Sequence, residues 1–257
     1  MNLRTVAIVC TLGLLTLLAG CGGAKLVRNP QAPPSAQALA VAADERLAAS
    51  LDFVIVRNGP GAWAKNGDWD EYLLRVRAVG PAPVQVLRVE VVDSLGRALS
   101  PASGRKALVK ASREQVRRYR DSGLKVRAGL GGAAIAATGI GAGLGAGGIV
   151  ASGGGMLGGV AGAATFFAIA PAFGVAGIVR AVNNSKVDKE IRRRQSALPQ
   201  TITADREHPL DLFFPLAPSP SAVRITYSDG SGEHRLEIDA RAALSGLHLR
   251  ERATAAP

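Results

Sequence analysis

Few side chains in this sequence stand where they could do chemistry. The 257 residues include two cysteines, Cys10 and Cys21, and three histidines, His208, His234 and His248. The histidines have no partner at metal-ligand spacing, which leaves each as a surface or strand-end residue. Asn66, Asp68 and Asp70 begin like a calcium loop, but Glu71 occupies the position that needs Gly and Arg77 the one that needs Glu. Gly143-Leu144-Gly145-Ala146-Gly147-Gly148 matches a dinucleotide fingerprint, yet the next acid is Asp188, far beyond the expected spacing of about 20 residues. No serine sits in a nucleophile elbow and no lysine in a phosphate loop. The sequence therefore predicts a non-enzymatic chain with no catalytic, cofactor-binding or metal residues and no cofactor. What remains is one thiol, that of Cys21.

Cys21 closes a leader of export type. Residues 1–20 carry one positive charge, Arg4, then an uncharged apolar segment over 5–18, then small residues. Leu18-Ala19-Gly20-Cys21 resembles the lipobox of bacterial lipoproteins. That resemblance implies cleavage before Cys21 and a covalent lipid on its sulfur. Gly22 follows where an Asp would commonly retain the family's members at the inner membrane, so the resemblance favours the periplasmic face of the outer membrane. The alternative is an uncleaved anchor with a chance cysteine. Because Cys10 lies inside the leader, no disulfide is expected within the mature chain. Residues 21–36, glycine-bearing and then Pro-bearing, read as a tether.

The leader is not the only apolar stretch. Residues 128–179 contain no Asp, Glu, Lys, Arg or His, and of these 52 residues 17 are Gly and 15 are Ala. A single crossing needs about 20 apolar residues, so the run predicts two helices and a turn, placed at Ser152-Gly153-Gly154-Gly155. Pro171 either kinks the second arm or ends it. Gly139, Gly143 and Gly147 in one arm, and Gly154, Gly158 and Gly162 in the other, resemble the stripes of glycine-zipper membrane proteins. The resemblance implies close helix packing, although the richness in Gly and Ala carries more weight than the spacing. Gly141 and Gly145 mark nearly the opposite face of the first arm, free to receive a second copy of the chain. A homo-oligomer through the hairpin follows as an expectation.

The net charge of +11 is concentrated beside this run. Residues 103–127 hold nine basic and two acidic side chains, and residues 180–195 hold six and two. Arg113, Arg117, Arg120, Lys125 and Arg127 on one side, with Arg180, Arg192, Arg193 and Arg194 on the other, are candidates to meet anionic lipid headgroups, at about 1 kcal/mol each. Some are solvated helix faces on either reading. Nucleic acid is not an expected partner, because the leader carries these segments away from it. The connecting segments look helical. Ser112 with Gln115 has capping-box spacing, Gly123 is placed to end that helix, and Ser185 offers a second start.

Outside the insert the grammar is that of strands. Residues 51–56 are apolar and β-branched, while Tyr72, Leu74 and Val76, and again Leu87, Val89 and Val91, alternate with mostly polar neighbours. The pattern resumes over 201–204, 210–214, 223–227 and 235–239, with Asp229-Gly230-Ser231-Gly232 as a hairpin turn. Neither half has enough strands to close a sandwich. Together, residues 37–104 and 196–249 predict a mainly β fold, an immunoglobulin-like β-sandwich split by a helical insert over 105–195, with 250–257 as a tail. The rival is two small β units, disfavoured because pieces of that size bury little core. Trp63 and Trp69 belong to a core or to a membrane interface, with the core favoured. The expected function is a lipid-anchored scaffold of the cell envelope. The alternative is a module that binds a periplasmic partner, with the hairpin as anchor only.

Overall fold

The computed structural model describes residues 24–30, 32–33, 37–129 and 172–249, the side chains of 172–181 excepted. Strand outweighs helix, 37% against 20%, so the chain is mainly β. The strands are β1 (Lys25–Leu26), β2 (Ala40–Ala43), β3 (Leu47–Ile55), β4 (Ala64–Lys65), β5 (Asp70–Ala78), β6 (Val84–Val92), β7 (Ala98–Leu99), β8 (Gln200–Ile202), β9 (His208–Phe214), β10 (Ala222–Ser228) and β11 (Glu233–Asp239). The helices are α1 (Arg105–Asp121), α2 (Ala172–Arg194) and α3 (Arg241–Leu244).

Two antiparallel sheets face each other across one core. The first has the order β2-β3-β5-β9 and the second β11-β10-β6, with β7 and β8 sharing the other edge of β6. Strands from both sides of the insert are therefore neighbours. In the first sheet β9 pairs with β5, from Asp70 opposite Phe214 to Val76 opposite His208, and in the second β10 lies along β6. Leu51, Leu74, Val76, Val89, Val91, Leu210, Leu212, Val223, Ile225 and Ile238 fill the space between.

Two bulges reset which residues point inward. Asp52 is the extra residue between Leu51 and Phe53, so Leu47, Ala49 and Leu51 face the core before it and Val54 and Val56 after it. Leu87 is the extra residue in β6, which turns Val84 and Val86 inward and leaves Leu87 half-buried. The simple alternation had put Leu87 in the inward set. Gly80 and Pro81 sit in the loop between β5 and β6, which carries the chain from one sheet to the other.

A second core lies on the outer face of the first sheet, under α1 and α2. Ala24, Trp63, Ala64, Trp69, Leu108, Val187, Ile191 and Phe213 compose it. In α1 the buried residues Leu108, Ser112, Gln115 and Tyr119 recur at helical spacing and form one stripe. The helix starts at Arg105, seven residues before the predicted cap. Its first free amide, that of Arg105, donates to the Asp188 carboxylate of α2 at 2.7 Å. Ser112 is mid-helix, its hydroxyl donating to the Asp68 carbonyl at 2.6 Å and accepting from the Leu216 amide at 3.0 Å. Gly123 ends the helix as expected, with φ +76°, and the Leu124 amide reaches back to the Tyr119 carbonyl at 2.9 Å.

The return helix also differs from its expectation. α2 runs without a break through Ser185, joining the end of the apolar run to the basic segment that follows. Among the described residues no helix is long and apolar enough to cross a membrane, so the predicted hairpin has no support there. Residues 130–171, which hold most of it, lie outside the described residues.

Candidate functional site

The place where the chain leaves the body for the apolar run is fixed by a buried histidine–aspartate pair. His248 follows α3 and the turn at Gly246, and its backbone sits at φ +61°, a conformation few non-glycine residues adopt. That geometry lets the Arg127 amide donate to the His248 carbonyl at 2.8 Å, beside a bridge between Val126 and Leu249. The His248 ring then turns inward. Its Nδ1 lies 2.9 Å from the Gly129 carbonyl and 3.3 Å from the Gly129 amide, and its Nε2 lies 2.8 Å from Asp70 Oδ2, at the start of β5. Both side chains are 0% exposed. Burial works against a charge on the ring, but Asp70 and the carbonyls of Gly129 and Arg127 outweigh it and hold His248 above its ordinary value. The other Asp70 oxygen, Oδ1, is buried without a hydrogen-bond partner. Gly129 is needed where it stands. It has φ +110°, and a Cβ there would lie 3.0 Å from the Arg57 carbonyl.

Beside this root the N-terminal segment docks. Ala24 is buried, Lys25 and Leu26 pair with Lys65 and Ala64, and the Val27 amide donates to the Trp63 carbonyl at 2.8 Å. Within the expected tether over 21–36, residues 24–27 are thus docked, with Lys25–Leu26 in a strand. Lys25 and Lys65 are direct cross-strand partners and both are exposed. Arg57 links the ribbon to the root: its guanidinium donates to Asp68 at 2.6 Å and to Asn66, next to Lys65, at 3.1 Å.

Under α2 lies a charged group around Trp63. Glu71 accepts from the Trp63 indole N–H and, on its other oxygen, from Arg194 at 2.8 Å. The Arg194 guanidinium also donates to Glu190 at 3.1 Å and lies 5.1 Å from the Trp63 ring centre, within cation–π range. Hydrogen bonds from Arg193 and Arg194 outweigh burial and hold Glu190 down at about 2. Asp211 goes the other way, since burial and then the Glu71 charge push it well above the usual carboxylate range. Trp63 meets Phe213 edge-on at 6.0 Å and Trp69 at 6.4 Å. The cavity beside them, lined by Glu71, Arg57 and Gly67, measures about 20 Å³ and has room for one water.

The predicted site residues divide accordingly. Arg113, Arg117, Arg120, Lys125 and Arg127 are exposed, as are Arg192 and Arg193, although Arg193 is held by Glu190 at 2.5 Å. Arg194 is turned into the body. Arg180 is in α2, its side chain outside the described residues. Cys21, Gly139, Gly143, Gly147, Gly154, Gly158 and Gly162 also lie outside them. Trp63 and Trp69 are both core residues, of the outer core under the helices. Asp70 with His248, and Glu71 with Arg194, are pairs that sequence reasoning missed. Their partners are 178 and 123 residues apart, and no local pattern signals such a pair. No protein-family model, curated protein or solved structure matches the chain.

Proposed function

We propose that this chain is a non-enzymatic, lipid-anchored protein of the cell envelope, on the periplasmic face of the outer membrane, in which a split immunoglobulin-like β-sandwich carries a self-associating membrane hairpin. The observation that carries this reading is that the apolar run is rooted in the body and not appended to it. Strands from before and after it pair with each other in both sheets, both flanking helices pack on one sheet face, and its first residues are held by His248. A body built this way can hold a membrane segment at a set orientation. The same end carries the segment that leads back to Cys21. His248 has both ring nitrogens engaged inside the body, which suits a structural role over a proton-transfer one.

The test is Cys21→Ser followed by membrane extraction and mass measurement. The expected result is an unprocessed precursor of higher mass, because only the thiol accepts the lipid. Normal processing of that variant overturns the lipoprotein reading. The binding-module reading has one observation in its favour, an open groove of about 430 Å³ on the first sheet beyond the helices, lined by Val41, Ser50, Arg75, Arg77 and Glu207. Cross-linking that finds only monomers in native membranes would favour it over the scaffold.

A further inference from the structure

We infer that the end of the body bearing the β1–β4 ribbon is a contact surface for anionic phospholipid headgroups, with Lys25 and Lys65 as its paired contacts. The inference rests on the lipid-anchored reading and adds to it the face that meets the bilayer. Its first ground is the ribbon itself. Like charges directly opposite one another weaken a strand pair, and this pair has only two residues on each side. Leu26 and Ala64 take the other face of the ribbon, with Ala64 in the outer core, so both lysines point away from the body. Among the described residues neither ammonium is matched by a carboxylate. An external anion supplies what the fold withholds.

The second ground is reach. Ala24 is buried at 3% exposure, and only three residue steps separate it from Cys21. Fully extended, that spans about 10 Å, close to one Debye length at physiological salt. A lipid on Cys21 therefore brings Lys25 and Lys65 within range of the headgroup charge. The third ground is the root of the insert, which reaches the same place. The backbone of Gly129 packs against Arg57, whose side chain bonds Asn66, and exposed Lys125 and Arg127 precede it in the chain. Two separate departures leave from one end, with Lys25 and Lys65 beside one and Lys125 and Arg127 just before the other in the chain.

The experiment uses the full chain reconstituted into vesicles of phosphatidylglycerol and phosphatidylethanolamine. A polarity-sensitive fluorophore is placed at Leu26→Cys, exposed in the ribbon beside Lys25, or, at the far end of the body, at Gln85→Cys, exposed and opposite Ser228. Mass spectrometry of the same samples reports acylation of Cys21. The expected result is shielding from acrylamide at position 26 and none at position 85. Adding Lys25→Glu should weaken the shielding roughly fivefold or more, as should replacing phosphatidylglycerol with phosphatidylcholine. Equal quenching at both positions with Cys21 acylated overturns the contact surface and leaves the anchor standing. Shielding at position 26 with Cys21 unmodified removes the anchor and keeps the surface.

Discussion

Asp70 and His248, both buried out of reach of water, form a pair that carries two charges when the ring is protonated. Taking such charges out of water costs several kcal/mol each, which their mutual attraction and the Gly129 carbonyl offset. Removing one partner strands the other. We expect His248→Gln to lower stability by about 3 kcal/mol near pH 6, a large fraction of the 5–15 kcal/mol typical of a domain. The pH dependence has a definite sign. The folded value of His248 lies above its ordinary one, so its contribution is complete below about 6.5 and is lost as the pH rises through the folded value. Urea midpoints should therefore fall as the pH rises above about 6.5 in the natural chain, and less so in the variant. An identical slope in both would show that the pair is uncharged. None of this was legible beforehand. A lone histidine near the end of a chain looks like a surface residue until the fold brings Asp70 to it.

At the scale of elements, much of the β structure could be read and the helix limits could not. Strands declare themselves through period-two patterns, which bulges at Asp52 and Leu87 shift by one residue without erasing. The two-residue strand β1 is too short to show any period. Helix starts were misplaced because Ser112 and Gln115 spell a capping box yet serve the tertiary structure, bonding Asp68 and Asp93. The true cap of α1 is Asp188, from another helix, and only the fold supplies it. Trp63 joins these elements. It touches Phe213 of β9 and Trp69, donates to Glu71 of β5 and lies under Arg194 of α2. Trp63→Ala should cost about 3–5 kcal/mol, the range for a large buried aromatic. The loss should also be uneven. Hydrogen exchange is expected to accelerate in α1, α2 and β1 while the inter-sheet core around Val89 and Ile225 stays protected. Uniform acceleration would mean that the outer core and the inner core unfold as one.

Among the described residues, strands from before and after the insert pair in both sheets, the arrangement that counting strands leads one to expect when neither half can close around a core. Which part of the insert belongs to the body did not follow. The basic flanks read as membrane-surface helices, whereas α1 and α2 cover Trp63, Trp69 and Phe213 and are part of the fold. Replacing the entire helical region over 105–195 with a linker would expose that outer core, so the resulting chain should aggregate. Replacing only residues 130–171 should leave a cooperative folded protein. Linker length matters, because the backbone of α2 from Val187, its first buried residue among the described side chains, back to Ala172 measures about 22 Å at 1.5 Å per residue. A Gly/Ser linker of about 20 residues has a root-mean-square span near 25 Å and can cover it, whereas a linker of five spans only about 12 Å. We therefore expect the long-linker protein to unfold in one transition near the natural midpoint and the short-linker one at lower denaturant. If the chain without 130–171 fails to fold at any linker length, the apolar run is part of the body's own core, and the division between body and insert is wrong.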